Sequence, residues 1–184
     1  MFGFSPGELM LPYRAERIVL RRLAVSDLAD FQSYRTDPEV GLYQGWSVMA
    51  DDEALRFLEE VGAAALLSPG EWTQLAISEA ETGRLIGDLG IFIDETATWA
   101  EIGFTLARSS QRQGLATLAV SAMIDLIFAH TPVARVLAIT DERNTRSVRL
   151  LQRVGMSLVS TAPAVWRGEP CVEQTFSIER LYGP

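Results

Sequence analysis

The sequence contains very few of the residues that build disulfides and metal centres. It has one cysteine, Cys171, and one histidine, His130. A lone cysteine excludes an internal disulfide and any cysteine-rich zinc site, so we expect no metal. His130 ends an apolar segment just before Thr131-Pro132, where the helix dipole explains a histidine better than catalysis does.

A basic excess and long apolar runs are missing too. The formal net charge is -8, whereas nucleic-acid binding needs a basic stripe, so nucleic acid is not an expected partner. The same charge mildly favours a cationic substrate. No apolar run reaches membrane-spanning length, and Glu8 and Pro12 interrupt the segment where a signal peptide would lie. We therefore expect a cytoplasmic protein without a membrane partner.

The sequence does contain enough apolar residues for one substantial core. Of its 184 residues, 48% are hydrophobic, which fits a single globular domain over residues 1–184. Periodicity and turn residues predict strands at 17–23, 72–78, 85–93, 101–106, 135–140, 157–162 and 171–178. Helices are predicted from Ser26-Asp27 to before Pro38, and at 52–67, 115–130 and 147–154. The order of elements is typical of an α+β fold.

Two motifs each open a predicted helix in the second half of the chain. The first runs from Gln111 to Thr117 with Gly114 at its centre, and the second runs from Asn144 to Ser147. The N–H groups of a helix's first turn lack internal partners and carry the positive end of the helix dipole, which suits an anion. The alternative is a glycine-initiated core helix that binds nothing. No Lys-Ser/Thr pair follows the glycine, so the first motif is not a nucleotide P-loop.

These motifs, in this order of elements, resemble the GNAT superfamily of N-acetyltransferases. Gln111-x-x-Gly114-x-Ala116 matches its acetyl-CoA signature, and Ala100 to Phe104 resembles its fourth strand. Asn144-x-x-Ser147, with Leu150-Leu151 and Gly155-Met156 after it, is similar to the RimJ and RimL branch of ribosomal-protein N-terminal acetyltransferases. The resemblance implies a central mixed, mostly antiparallel sheet of about seven strands flanked by about four helices. Strands 4 and 5 would splay apart and hold the cofactor.

The resemblance also implies acetyl-CoA as cosubstrate, with its pyrophosphate on the helix after the signature. The residues that would hold it there are Gln111, Arg112, Gln113, Gly114, Leu115, Ala116 and Thr117. Phe104, Thr105 and Leu106 would pair their backbone with the pantetheine arm, and a bulge there would aim an N–H at the thioester carbonyl. Asn144 resembles a cofactor-contacting asparagine, with ordinary N-capping as the alternative.

Transfer to an amine requires a base, because a free alkylamine is mostly protonated near neutral pH. The resemblance makes Glu101 the candidate, with a solvent-facing strand residue as the alternative and Asp88 in reserve. Many relatives use a tyrosine to protonate the leaving thiolate, and Leu151 stands at that position here. That departure leaves Ser147 or a water as the acid, unless Ser147 is a plain helix-start residue.

The acceptor side rests on aromatic residues and one carboxylate. Tyr43, Trp46, Asp88 and Trp166 fall in segments that border the acceptor pocket in relatives, although aromatic residues there also serve packing. The implied acceptor is a primary amine of a small molecule or of a protein N-terminus. A non-catalytic acyl-CoA-binding or regulatory module of the same fold remains the alternative function. The sequence leaves open whether the chain forms a homodimer.

Overall fold

Eight strands form one sheet in the computed structural model, which describes residues 9–181. The strands are β1 (Tyr13–Ala15), β2 (Ile18–Arg21), β3 (Trp72–Glu79), β4 (Leu85–Ile93), β5 (Trp99–Leu106), β6 (Arg135–Asp141), β7 (Ser157–Trp166) and β8 (Glu169–Glu179). Their order across the sheet is β1-β2-β3-β4-β5-β6-β8-β7. Neighbouring strands are antiparallel except β5 and β6, which are parallel. The predicted mixed, mostly antiparallel α+β architecture is thereby confirmed, with β1 as a strand beyond the seven expected.

The helices are α1 (Leu28–Arg35), α2 (Pro38–Gly41), α3 (Asp51–Ala63), α4 (Leu115–His130) and α5 (Thr145–Arg153). Pro38 was expected only to end a helix. It also begins α2, because the first helical position needs no N–H donor, and Asp37 caps the new helix by accepting from the Glu39 N–H. Within residues 9–181 no helix is both long enough and apolar enough to cross a membrane.

The two faces of the sheet carry separate cores. Helices α4 and α5 cover one face over a large apolar cluster that includes Leu75, Leu89, Ile102, Val136 and Phe176. Helices α1 and α3 cover the other face over a smaller cluster. The helical spacing of Leu55, Leu58, Val61 and Ala65 predicts the apolar side of α3. The structure buries Ala54 and Leu58 and leaves Leu55 38% exposed.

Three predicted boundaries, the end of α3 and the two inner ends of the final hairpin, were wrong. Helix α3 ends at Ala63, short of 67, because the Arg22 guanidinium donates to the carbonyl oxygens of Gly62 and Ala64 and closes the helix there. Strand β7 runs on to Trp166 and β8 starts at Glu169, so the final hairpin is longer than expected. The hairpin turns on only two residues with positive φ, Arg167 (51°) and Gly168 (83°).

Strands β5 and β6 pair over three residues only and then separate. Their parallel ladder runs from Trp99 opposite Arg135 to Glu101 opposite Leu137. Beyond that point β5 stays on β4 up to Leu106, and β6 stays on β8 up to Asp141. The predicted splay of strands 4 and 5, which are β5 and β6 because β1 is an additional strand, is confirmed.

A buried ion pair ties helix α1 to strand β4. Arg35 Nη2 lies 3.0 Å from Asp88 Oδ2, and the Tyr34 hydroxyl donates to the same oxygen at 2.6 Å. Burial and the neighbouring Asp88 raise the pKa of Tyr34, so the phenol stays protonated. The guanidinium carbon of Arg35 lies 4.7 Å from the Phe31 ring centroid and 4.6 Å from that of Trp46. The arginine is thus stacked between two rings while its charge is neutralised.

We predict that Asp88→Asn lowers the free energy of unfolding by about 3–5 kcal/mol, because it leaves Arg35 buried without a counter-charge. Combining it with Arg35→Met should restore most of the loss, since the methionine keeps the packing between Phe31 and Trp46 and removes the unpaired charge. Urea denaturation of the two single variants and the double variant measures both effects. A double variant as unstable as the sum of the singles would contradict a coupled pair.

Candidate active site

The parting of β5 and β6 opens a cleft that passes through the sheet. Its lining residues come from both strands, from the start of α5 and from the segment after α2: Tyr43, Gln44, Ile102, Gly103, Phe104, Ala138, Ile139, Thr140, Asn144, Ser147 and Leu151. Residues from α5 lie on the α4 side of the sheet, and Tyr43 and Gln44 lie toward the α3 side. The cleft therefore connects the two faces.

The backbone of β5 offers hydrogen-bonding groups to this cleft. The Ala107 N–H donates to Ile86 and the Asp94 N–H donates to Trp99, so the odd-numbered residues of β5 bond to β4. Antiparallel alternation then directs the backbone groups of Phe104 and Leu106 toward the gap. An extended ligand can pair with such an edge as an added strand does.

Two side-chain amides already use carbonyl groups on this edge. Gln44 Nε2 donates to the Phe104 oxygen at 3.3 Å, and Gln111 Nε2 donates to the Leu106 oxygen at 2.9 Å. The bulge considered for this strand is not present in the described ladder, where β4 and β5 pair without a register shift. Register shifts lie instead between β3 and β4, at Ile77/Ser78, and between β7 and β8, at Leu158/Ser160.

Helix α4 begins at the signature, beside the end of β5. Gly114 is the N-cap with φ of 80°, a left-handed conformation that glycine adopts without strain. The first helical hydrogen bond runs from the Leu118 N–H to the Gly114 oxygen. The preceding N–H groups of the first turn therefore have no helical partner and suit an anion.

Arginine side chains surround this helix start. Arg17 Nη2 donates to the Gln113 oxygen at 2.5 Å, and Arg146 Nη1 donates to Gln111 Oε1 at 3.0 Å. Arg153 Nη1 lies 3.4 Å from Thr117 Oγ1. Positive charge is thus concentrated here in a chain whose net charge is -8, which favours a phosphate-bearing ligand. Arg17 and Arg153 lie outside both motifs and could not be recognised from the sequence, because only the fold brings them to the signature.

The second motif forms the start of α5 at the cleft. Asn144 Oδ1 accepts from the Ser147 N–H at 3.3 Å, so the ordinary capping role of the asparagine is present. Asn144, Ser147 and Leu151 all line the cleft. The Ser147 hydroxyl is the one of these groups that can supply a proton.

Glu101 is the last residue of β5 that pairs with β6. It is half-buried, and its side chain shares the α3 face of the sheet with its ladder partners Phe92 and Leu137. Burial, and secondarily the negative charge of Glu173, raise the pKa of Glu101 above its ordinary value. A carboxylate with raised proton affinity beside an open cleft is suited to accept a proton from an amine.

Gly103 keeps the space next to Glu101 open. It lies two residues further along β5, so a side chain there would project from the same face. A Cβ built on Gly103 meets no atom within 4 Å among the described residues. The surface beside the candidate base therefore has room for a bound group.

The other residues predicted on the acceptor side, Asp88, Tyr43, Trp46 and Trp166, lie in different environments. Asp88 is 4% exposed and committed to Arg35 and Tyr34, which leaves Glu101 as the better-placed carboxylate. Tyr43 lines the cleft. Trp46 packs on Arg35, and the Trp166 ring lies 3.6 Å from a Cβ built on Gly45. The two tryptophans therefore meet at one segment next to the cleft.

Comparisons with known proteins agree with this geometry. The acetyltransferase (GNAT) domain family matches residues 17–157. A protein named uncharacterized N-acetyltransferase p20, from Bacillus licheniformis, is 31% identical over 138 residues, which are 74% of this chain and 76% of that protein. A GNAT-family acetyltransferase structure from Bacillus anthracis has a TM-score of 0.80 and 20% identity, covering 90% of this chain and 96% of that one.

RimL, the ribosomal L7/L12 alpha-N-protein acetyltransferase, shares the fold in its complex with coenzyme A. The TM-score is 0.79 at 16% identity, covering 91% of this chain and 97% of RimL. The family match covers more than half of the chain, so the chain belongs to the GNAT acetyltransferase family. It is an acetyl-CoA-dependent acetyltransferase, and the predicted membership of the GNAT superfamily is confirmed.

We predict that Glu173→Gln lowers the titration midpoint of Glu101, because it removes the like charge that adds to burial. The midpoint should stay above the ordinary value, since burial is the larger cause. NMR titration of labelled glutamate carboxylates measures this. Glu169→Gln, an exposed change at the start of β8, is the control and should leave the titration midpoint of Glu101 unchanged. An equal shift in both variants would contradict a specific coupling to Glu173.

Proposed function

We propose that this enzyme transfers the acetyl group of acetyl-CoA to a primary amine at the cleft between β5 and β6. The observation that supports the proposal is one cleft between the parted strands, with the half-buried Glu101 next to its lining residue Ile102 and the unpartnered N–H groups of the α4 start beside the end of β5. The cosubstrate would enter from the α4 side. The amine would arrive on the α3 side, where Glu101 and the open surface of Gly103 lie.

The proposed binding site for the cosubstrate is based on positive charges and on backbone N–H groups without helical partners. The N–H groups of residues 112–117 and the surrounding arginines would hold the pyrophosphate, as helix starts hold phosphate oxygens. The backbone of Phe104 to Leu106 would pair with the pantetheine arm. Asn144 would contact the cosubstrate near the thioester, because it caps α5 at the cleft.

In the proposed reaction Glu101 removes a proton from the ammonium group, directly or through water. The neutral nitrogen then attacks the thioester carbonyl carbon, and the negative charge that forms on the carbonyl oxygen accepts a hydrogen bond from the β5 backbone. When the carbon–sulfur bond breaks, Ser147 or a water gives a proton to the departing thiolate, and the second proton that the attacking nitrogen loses as the amide forms restores this donor. The products are the amide and the free thiol of CoA.

The acceptor is a small-molecule amine or a protein N-terminus. RimL is named as acting on a ribosomal protein N-terminus, which supports the second class by shared fold only. Carboxylates on the acceptor side, Glu101 and Glu173, favour an amine that arrives as a cation. A thiol-release screen with acetyl-CoA against N-terminal peptides, polyamines and aminoglycosides would identify the class.

We predict that Gly114→Asp abolishes the rise in melting temperature that acetyl-CoA causes, while Gly114→Asn retains most of it. Asp and Asn both tolerate the left-handed conformation better than other side chains, so the pair differs chiefly in charge. A ligand at about a hundred times its dissociation constant adds roughly 2.7 kcal/mol in the wild type, which thermal denaturation resolves. Equal shifts in both variants would argue against phosphate at this helix start.

We predict that Glu101→Gln lowers turnover by about 10²–10⁴-fold while the acetyl-CoA dissociation constant changes little. The wild-type rate should rise with pH through the raised pKa of Glu101, because only the ionised carboxylate accepts a proton. The variant should lose that limb of the profile. Ser147→Ala should cost less, since a thiolate leaves tolerably without a proton donor. A wild-type rate and pH profile in Glu101→Gln would remove Glu101 from the mechanism.

A further inference from the structure

A short segment and a hairpin tip meet on the acceptor side of the cleft. We call residues 43–46 the strap. The strap touches β5, because the Gln44 side chain donates to the Phe104 oxygen at 3.3 Å. At its other side the strap touches the turn between β7 and β8, where Arg167 Nη2 donates to the carbonyl oxygens of Gln44 and Trp46, each at 3.0 Å.

Rings reinforce this junction on both sides. The Trp166 ring lies 3.6 Å from a Cβ built on Gly45, and the Trp46 ring stacks on the buried Arg35 guanidinium at 4.6 Å. The strap is therefore held by a contact with helix α1 and by contacts with the β7–β8 hairpin. Tyr43 and Gln44 form one wall of the cleft, so the position of the strap sets the width of the acceptor opening.

Arg167 is an unusual residue for its turn. It occupies the first position of a two-residue hairpin turn with φ of 51°, followed by Gly168 with φ of 83°. Such turns favour asparagine, aspartate or glycine, because a larger side chain is strained at positive φ. Arginine at this position is explained by its side chain, whose guanidinium satisfies two strap carbonyl oxygens at once.

We propose that Arg167 is a specificity-determining residue, whose clasp on the strap limits the size of the amine that reaches Glu101. This proposal rests on the function proposed above. With the clasp closed, a compact alkylamine enters beside Gly103, where the surface is open. A peptide N-terminus carries more atoms next to its amine and requires the strap to move, which breaks both hydrogen bonds of Arg167.

The test is Arg167→Asn, because asparagine suits the turn better than arginine and cannot span to the strap. The hairpin is thus preserved while the clasp is lost. Arg56→Gln is the control, since it removes the same charge from a 70% exposed side chain on helix α3. Two readouts are used: hydrogen exchange of the strap amides, and kcat/KM for butylamine and for trialanine. The ratio of the two acceptors within each variant cancels their different amine pKa values.

The strap amides should exchange at least about tenfold faster in Arg167→Asn, and the trialanine-to-butylamine ratio should rise by about tenfold or more. The KM for acetyl-CoA should not change, which separates this role from a general structural one. Unchanged exchange, or faster exchange with an unchanged ratio, would overturn the proposal. If every variant binds acetyl-CoA but acetylates neither amine, the proposed function fails for these acceptor classes, while the exchange data still decide whether Arg167 holds the strap.

Discussion

The site depends on an imbalance in strand pairing at the middle of the sheet. Strand β5 forms a full antiparallel ladder with β4, and β6 forms one with β8, whereas β5 and β6 share a parallel ladder of only three residues. Parallel pairing is slightly less stable per residue than antiparallel pairing, so each strand follows its stronger partner. The resulting gap exposes the backbone edge of Phe104 and Leu106. It also brings the starts of α4 and α5 to one end of the opening and Glu101 to its apex.

Charge is distributed along this opening in a way that matches its two proposed ligands. Arg17, Arg146 and Arg153 contact the residues around the start of α4, while on the α3 face burial and the charge of Glu173 raise the pKa of Glu101. Although the net charge of the chain is -8, the start of α4 is locally positive and suits an anionic cosubstrate. Two carboxylates on the acceptor side suit a protonated amine, and in the proposed mechanism Glu101 removes its proton.

Local pattern explains which elements could be predicted from the sequence. Helix α4 matches its prediction over residues 115–130, because it is strongly periodic and lies between Gly114 and Pro132. Strand β4 also matches, at 85–93. The short β1 and the last four residues of β7, 163–166, were missed because exposed edge strands show little alternation between apolar and polar residues. Helix α3 was rotated in the prediction because its buried face uses Ala54, which a search for large apolar residues overlooks.

The site residues also fall into two groups: those in local sequence motifs and those that reach the site only through distant contacts. Gln111, Gly114 and Glu101 lie in continuous motifs and could be located from the sequence. Arg17, Gln44 and Arg167 could not, because each acts through contacts with residues far away along the chain. Asp88 was considered for the acceptor site, and only the fold shows that it neutralises Arg35.

Amide hydrogen exchange with and without acetyl-CoA tests whether the cosubstrate binds in the gap between β5 and β6. We expect the amides of Phe104 and Leu106 to become protected together with those of residues 113–117, while Ala100, in the paired part of β5, stays unchanged. Protection confined to the helix start, with Phe104 and Leu106 exchanging as before, would contradict binding along the parted strands.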